Sequence, residues 1–122
     1  MGLGGSATDL MRATFHLVPR RVWAAGPPGE PYVAESLATE GFIHCTDGVE
    51  ALGATFDRYY ARDPTGFVAL TIDLDAVDVP WRYDLPGSLY PHVYGPIARP
   101  AIVAINRVRR RRDGRFAGLT AG

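Results

Sequence analysis

The sequence contains no lysine, so all 13 of its basic residues are arginine. Schiff-base chemistry, a lysine general base and a Walker-type phosphate loop are therefore excluded. A single cysteine, Cys45, excludes an internal disulfide and a zinc site built from several cysteines. No apolar stretch approaches the roughly 20 residues that a membrane-spanning helix needs. Because 13 acidic residues balance the arginines, no net charge directs the chain towards nucleic acid or a membrane.

The chain of 122 residues is 47% hydrophobic, which is enough for one small domain with its own core. Its Gly/Ser-rich start lacks the apolar segment of a signal peptide, so we expect a cytoplasmic protein. We expect a single domain over residues 1–122, ordered over about 13–116, with flexible ends at 1–12 and 117–122. Six arginines and one aspartate between Arg107 and Arg115 give a local charge of +5. The run Arg109–Arg112 is either a solvated strand end or a docking patch for phosphate or an acidic partner.

Short strands and a few helices are predicted to alternate along the chain. Apolar alternation predicts strands over Ala13–Val18, Phe42–Cys45, Phe67–Leu74, Val79–Asp84, Leu89–Tyr94 and Ile102–Arg109. Short helical segments are predicted at Arg20–Ala25 and, between Ser36 as cap and Gly41 as stop, at Leu37–Glu40. The clearest helix is predicted to start at the capping-box-like Asp47-x-x-Glu50, with a buried face of Val49, Leu52, Phe56, Tyr59 and Tyr60. This order predicts an α+β domain with antiparallel or mixed sheets.

The three histidines of the chain, His16, His44 and His92, each fall inside a predicted strand between apolar neighbours. Strand histidines of this kind either line one cleft or are separately satisfied in half-buried positions. Histidine can donate, accept or carry a proton near neutral pH, so a shared cleft favours acid/base chemistry. No His-x-His or His-x-x-x-His pair occurs, and we therefore expect no metal.

Several other side chains are candidates for ligand binding. Cys45 follows His44 directly, and adjacent strand residues point to opposite faces, so a buried structural thiol is expected rather than a nucleophile. Thr46 shares the face of His44 just before a helix start, a combination that favours an anionic ligand. On the later strands, Arg82 is a candidate for binding a carboxylate or phosphate. Tyr90 and Tyr94 alternate with His92 and form either a site that stacks on a ligand or an aromatic stripe of the core.

Three blocks of the sequence together resemble a known family. They are Phe15-His16-Leu17-Val18 followed by Trp23, Glu40-Gly41-Phe42-Ile43-His44-Cys45-Thr46, and Leu89-Tyr90-Pro91-His92-Val93-Tyr94-Gly95-Pro96-Ile97. These blocks are similar to the Tyr-His, Gly-Phe-Ile-His-Cys-Ser/Thr and Phe-Pro-His-Leu-Tyr-Gly-Pro motifs of the small bacterial domain-of-unknown-function family 952. The resemblance covers about Ala13 to Val108.

That family is similar in fold to ADP-ribosyltransferases and RNA 2′-phosphotransferases. The resemblance implies an α+β, ADP-ribosyltransferase-like split body of two small, mostly antiparallel sheets, with one or two short helices around a central cleft for NAD. His16 matches the first-strand histidine that holds the nicotinamide ribose and amide, and Phe42–Thr46 and Leu89–Tyr94 match two further strands of the cleft. Where the transferases carry a glutamate, this chain has Tyr90 and His92, and the remaining candidate carboxylates are Glu35, Glu40 and Asp84.

The resemblance and the residues together predict an enzyme or diverged enzyme that binds NAD, ADP-ribose or another phosphorylated small molecule. In this hypothesis the catalytic residues are His16, His44 and His92. His16 holds the ligand, His44 with Thr46 contacts phosphate or acts as a base, and Tyr94 stacks on the ligand. Two alternatives stay open: a histidine acid/base enzyme of specialised metabolism without a nucleotide, and a non-catalytic small-molecule-binding module. The expected partner is a phosphorylated or carboxylated small molecule, and no membrane or nucleic-acid partner is expected.

Overall fold

A computed structural model describes residues 11–121 of the chain. Seven strands and three α-helices occur within these residues. The strands are β1 (Ala13–Pro19), β2 (Ile43–His44), β3 (Phe67–Asp73), β4 (Trp81–Arg82), β5 (His92–Val93), β6 (Ile102–Arg110) and β7 (Phe116–Leu119). The helices are α1 (Arg20–Ala25), α2 (Glu35–Glu40) and α3 (Val49–Tyr60), and short 3₁₀ turns cover Leu74–Ala76 and Arg99–Ala101.

The strands form two antiparallel sheets. The large sheet has the order β1-β3-β6-β7, and the small sheet has the order β2-β5-β4. Strand β3 lies in the middle of the large sheet, and four of its seven residues, Phe67 to Leu70, are consecutively buried, as expected for a strand covered on both faces. The α+β class with two small antiparallel sheets is confirmed.

The main core lies between the two sheets. Val68, Leu70 and Ile72 project from one face of β3 and belong to the same buried cluster as Ile43 and Val93 of the small sheet. The other face of the large sheet is covered by α3, where the ring of Phe56 meets those of Phe67 and Phe116 at centroid distances of 5.3 and 6.2 Å. Because apolar side chains fill the space between the sheets, the expected central cleft lined by three histidines is absent from the described residues.

The start and the buried face of α3 differ from the prediction. The residue before the helix is Gly48, with a φ of 84°, and no side chain caps the first turn. The Asp47 carboxylate instead accepts a hydrogen bond from the hydroxyl of Tyr83, which is 36 residues away in sequence. Val49 and Tyr59 are exposed, whereas Leu52 and Phe56 are fully buried. The buried face of α3 is therefore narrower than the apolar pattern predicts.

The C-terminal segment is ordered further than predicted. The expectation of a flexible tail from residue 117 is wrong for the described residues, because β7 pairs with β6 through Val108–Leu119 and Arg109–Gly118. The prediction of a flexible N-terminus falls mostly on residues 1–10, which lie outside the described part. Within residues 11–121, no helix is long and apolar enough to cross a membrane.

Arg110 gives the basic run a structural role. It lies at the end of β6, and its guanidinium donates hydrogen bonds to the backbone oxygens of Tyr60 and Ala61, at the C-terminal end of α3, and to Thr65 and Gly114. The carbonyl groups of Tyr60 and Ala61 have no partner inside the helix, and a cation is favourable at this end of the helix dipole. One member of the run is therefore inserted into the fold, while Arg109, Arg111 and Arg112 stay exposed.

Candidate functional site

The outer face of the small sheet carries a row of polar side chains. The antiparallel register aligns His44 of β2 with His92 of β5, and His92 with Arg82 of β4. The neighbouring residues Ile43 of β2 and Val93 of β5 point into the core and are fully buried. Because neighbouring strand residues alternate between faces, burial of one row places the other row on the surface.

Asp84 holds His92 in a defined orientation. The Nδ1 atom of His92 lies 2.6 Å from Oδ2 of Asp84, which also accepts a hydrogen bond from the hydroxyl of Tyr94. The second carboxylate oxygen accepts from Nε of Arg82 at 2.7 Å. The hydrogen bonds from Tyr94, Arg82 and His92 lower the pKa of Asp84 to about 2. A charged carboxylate only accepts, so Nδ1 of His92 carries a proton and Nε2 is the ring nitrogen that remains for other partners.

Glu40 holds the second histidine in a similar way. The Nε2 atom of His44 lies 3.1 Å from both carboxylate oxygens of Glu40. Glu40 is the last residue of α2, and Gly41, with a φ of 90°, turns the chain so that β2 begins two residues later. The rings of His44 and His92 lie edge to face with their centroids 5.5 Å apart. Two histidines, each bonded to its own carboxylate, therefore lie side by side on the surface.

Aromatic rings enclose His92. Phe42 stacks on the His92 ring at a centroid distance of 3.9 Å and also meets His44 edge-on at 4.8 Å. Tyr94 lies on the other side of the cluster, 6.4 Å from His92, and the guanidinium of Arg82 lies 4.2 Å above the Tyr94 ring. We call Glu40, Phe42, His44, Arg82, Asp84, His92 and Tyr94 the histidine cluster.

His16 lies outside the histidine cluster, in a buried position of β1. Its Nδ1 atom donates a hydrogen bond to the backbone oxygen of His44 at 2.6 Å, and its Nε2 atom accepts one from the hydroxyl of Tyr32 at 2.8 Å. Burial lowers the pKa of His16 to about 4. A neutral ring with one donor and one acceptor satisfies both contacts, so the side chain supports the backbone of β2 rather than facing solvent.

Two predicted ligand-binding residues are also placed elsewhere. Thr46 is buried, and its backbone pairs with Phe15 of β1 in an isolated bridge. Tyr90 is exposed, precedes β5 and has no ring contact with His92 among the described residues. Cys45 is buried, and burial raises the pKa of its thiol, so it stays protonated as a structural thiol does. Of the predicted site residues, the structure thus brings together His44, His92, Arg82 and Tyr94.

The anion site predicted at the start of α3 lies beside a carboxylate of the protein, that of Asp47. Asp47 lies immediately before Gly48 with its carboxylate bonded to Tyr83, which puts a negative side chain next to the helix start. An anionic ligand is disfavoured there by repulsion from this carboxylate. Within residues 11–121, no three His, Cys, Asp or Glu side chains are grouped as a metal ion requires.

Three members of the cluster were not among the predicted ligand-binding or catalytic residues: Phe42, which the sequence did not single out, and Glu40 and Asp84, which it offered only as alternative carboxylates. The signal that finds two of them is strand alternation, since Phe42 precedes His44 by two residues and Asp84 follows Arg82 by two. Glu40 is four residues before His44, and only the turn at Gly41 brings the two side chains together.

Comparison with known proteins agrees with this arrangement of motifs. Residues 17–105, which include every member of the histidine cluster, match a protein family of unknown function, DUF952. The chain belongs to this family. No curated protein matches the DUF952 chain.

Solved structures with a similar fold include CC0527 from Caulobacter crescentus. Its crystal structure has a TM-score of 0.65 at 23% sequence identity, covering 86% of this DUF952 chain and 93% of CC0527. The solution NMR structure of CC0527 has a TM-score of 0.64 at 20% identity, covering 86% of this chain and 91% of CC0527. At these identities the likeness shows the fold alone.

Proposed function

We propose that the histidine cluster binds a small phosphorylated or carboxylated molecule and that His44 and His92 transfer protons to and from it. One observation carries this proposal: two histidine rings 5.5 Å apart, each hydrogen-bonded to its own carboxylate, on an exposed sheet face. A surface histidine needs no such partner for solubility, whereas a carboxylate that fixes the tautomer and orientation of a ring is typical of acid/base sites.

The two rings present different nitrogens to a ligand. His92 presents Nε2, because Nδ1 is bonded to Asp84. His44 presents Nδ1, because its Nε2 is bonded to Glu40. An imidazole nitrogen can accept or donate a proton, so the pair supplies both groups that the proposed proton transfer needs. Phe42 covers one face of His92 and limits access to the ring edge.

Arg82 supplies the anion-binding group of the proposed site. Its Nε bonds Asp84, and no carboxylate within residues 11–121 pairs with its two terminal nitrogens. A guanidinium presents paired N–H groups that match the two oxygens of a carboxylate or phosphate. The position of Arg82 in the same sheet row as His92 and His44 aims a bound anion at the two rings.

NAD and ADP-ribose are the first phosphorylated molecules to test. The similarity to ADP-ribosyltransferases rests on the sequence motifs alone. Their chemistry needs a negative charge beside a ribosyl centre that becomes positive. Asp84 already accepts hydrogen bonds from three side chains, whereas within residues 11–121 the only side chain hydrogen-bonded to Glu40 is His44. Glu40 is therefore the carboxylate we assign to that task.

A ligand screen followed by single substitutions tests the proposal. NAD, ADP-ribose, a sugar phosphate and a dicarboxylate are screened by thermal shift, where a ligand at 100 times its Kd adds about 2.7 kcal/mol of stability. His44→Gln and His92→Asn are expected to weaken binding roughly 10- to 150-fold and to cost about 1 kcal/mol of folding stability. Turnover, followed by NMR of the product, is expected to fall by roughly 10²–10⁴ in both variants.

A matched pair of arginine variants separates a specific site from general charge attraction. Arg82→Gln removes the proposed anion contact, and we expect Kd to rise about tenfold or more. Arg62→Gln removes the same charge from an exposed position outside the cluster and leaves Kd unchanged. The proposal is abandoned if no molecule of these classes binds, or if both histidine variants bind and react like the native chain.

A further inference from the structure

A groove lies between α1 and β6, on the core-facing side of the large sheet and outside the histidine cluster. It has a volume of about 540 Å³ and is lined by side chains that include Trp23 of α1, Val68 of β3 and Ile105 of β6. Pockets that bind small molecules commonly measure about 300–1,000 Å³. No histidine and no other member of the histidine cluster lines this groove.

The floor of the groove is core surface that the fold leaves uncovered. Ile105 pairs with Leu70, and Leu70 pairs with His16, so the three residues form one row across the large sheet. His16 and Leu70 are buried under the small sheet and its neighbours, but Ile105 is 42% exposed. An apolar side chain on the core-facing side of a central sheet is normally covered, so its exposure marks a gap in the packing.

Two arginines flank this apolar floor. Arg107 lies on β6, where it pairs with Val68 of β3, and Arg20 is the first residue of α1, directly after β1. Because β1 and β6 lie on opposite sides of β3, the two arginines border the groove from opposite sides. Within the described part of the chain, neither side chain has a hydrogen-bond or ion-pair partner. The groove thus combines an apolar floor with two uncompensated positive charges. An organic anion complements both features.

Trp23 forms one wall of the groove and is fixed in place by two neighbouring side chains. The guanidinium of Arg99 lies 4.4 Å from its ring centroid, and its ring packs against Tyr32 at 5.7 Å. Arg99 in turn donates hydrogen bonds to the backbone oxygens of Pro27 and Glu30. An aromatic wall fixed in this way accepts a ring of a ligand without losing side-chain freedom on binding.

We propose that this groove binds a small organic anion with an aromatic or apolar body, such as an aryl phosphate or aryl carboxylate, independently of the histidine cluster. The arginines bind the anionic group, and Trp23, Val68 and Ile105 contact the body. The proposal does not rest on the function proposed for the histidine cluster.

An NMR titration with 1-naphthyl phosphate tests this second site. The chain has two tryptophans, whose indole N–H groups give two resolved signals that Trp81→Phe assigns. Trp23 lines the groove, while Trp81 lies in the small sheet beside Arg82 of the histidine cluster. We expect the Trp23 signal to shift and saturate while that of Trp81 stays in place. Movement of Trp81 alone, or of neither signal, overturns the proposal.

Two matched pairs of variants test the two halves of the groove. Arg107→Gln is expected to raise Kd for the naphthyl probe on the order of tenfold, and Arg109→Gln, two residues further along β6, to leave it unchanged. Ile105→Thr is expected to weaken binding several-fold, while Val103→Thr, at a similar exposure of 46%, has no effect. Equal losses within either pair overturn the proposal, because they indicate unspecific attraction.

The contribution of each chemical part is measured with two smaller probes. Inorganic phosphate lacks the ring and 1-naphthol lacks the charge, and each is expected to bind at least tenfold more weakly than 1-naphthyl phosphate. If inorganic phosphate binds as tightly as the naphthyl probe, the apolar floor has no role and the proposal fails.

Discussion

Lowering the pH from 7 to 4 is expected to destabilise the fold through one buried side chain, His16. Its ring lies between the backbone oxygen of His44 and the hydroxyl of Tyr32. The carbonyl oxygen requires a donor at Nδ1, and the neutral ring then accepts the Tyr32 proton at Nε2. Protonation places an uncompensated charge in the core, and burial therefore lowers the pKa of His16 to about 4.

The sign and size of this effect follow from the two pKa values. The unfolded chain binds a proton at His16 near pH 6.5, whereas the folded chain binds it near pH 4. Between these values the unfolded state carries more protons, so stability falls as the pH falls from 6.5 to 4 and is fully present above 6.5. At about 1.4 kcal/mol per pKa unit, the loss attributable to His16 is about 3 kcal/mol.

Urea unfolding at pH values from 4 to 7.5 measures the loss, with His16→Asn as the comparison. The asparagine amide keeps a donor for the His44 carbonyl but cannot titrate. It leaves the Tyr32 hydroxyl without its partner, at a cost of about 1–3 kcal/mol at pH 7. We expect the native chain to lose about 3 kcal/mol relative to the variant on going to pH 4, so that its advantage disappears or is reversed there.

Two controls isolate the histidine from other titrating groups. Tyr32→Phe removes the hydroxyl but keeps His16, so its pH dependence is expected to remain like that of the native chain. The pKa of Asp84 is lowered from its usual value of 3.8 to about 2, so its charged form stabilises the fold fully above pH 3.8. That stabilisation is lost between about pH 3.8 and 2, which is below the pH window in which His16 acts. Parallel curves for the native chain and His16→Asn between pH 4 and 6.5 would refute the reasoning.

Three further substitutions test the packing around α3 and its neighbours by urea unfolding. Arg110→Met removes the donor to the helix-end carbonyls and is expected to cost about 2 kcal/mol, against less than about 0.5 kcal/mol for the exposed Arg109→Met; similar costs would contradict the capping role. Gly114→Ala puts a Cβ 2.2 Å from a backbone oxygen at a φ of 93° and is expected to cost more than about 2 kcal/mol. Gly87→Ala has a φ of 74° but no neighbouring atom within 4 Å, and it is expected to cost only about 1 kcal/mol. Leu52→Ala in the buried face is expected to cost about 3 kcal/mol, and a loss below about 1 kcal/mol would argue against its burial.

Local sequence patterns were sufficient to predict β1, α1 and the central strand β3. The predicted strand Ala13–Val18 and helix Arg20–Ala25 agree with β1 and α1 to within one residue. Pro19 fixes its own backbone angle, a local constraint that marks the boundary between the two elements. The predicted strand Phe67–Leu74 also agrees with β3 to within one residue. Here the local signal is a long β-branched and apolar run without a competing helical pattern.

The predictions that failed are those in which a distant partner changed a local preference. Asp47 has the residue type and spacing of a helix cap, but Tyr83 takes its carboxylate and the helix starts without it. Phe116–Leu119 has little strand propensity by itself. It becomes a strand because the hairpin turn aligns it with β6 and because the side chain of Asp57 accepts a hydrogen bond from the Phe116 N–H.

The same division applies to the histidines. Strand alternation in the sequence was enough to put His92, Tyr94 and Arg82 among the candidates, because a side chain's face relative to its sequence neighbours is a local property. Which face meets solvent is decided by what packs on the other one. His44 and His92 are on the surface because Ile43 and Val93 fill the core, whereas His16 is buried because the small sheet covers its side of β1. That choice depends on contacts such as those of His16 with His44 and Tyr32, 28 and 16 positions away, and only the tertiary structure contains them.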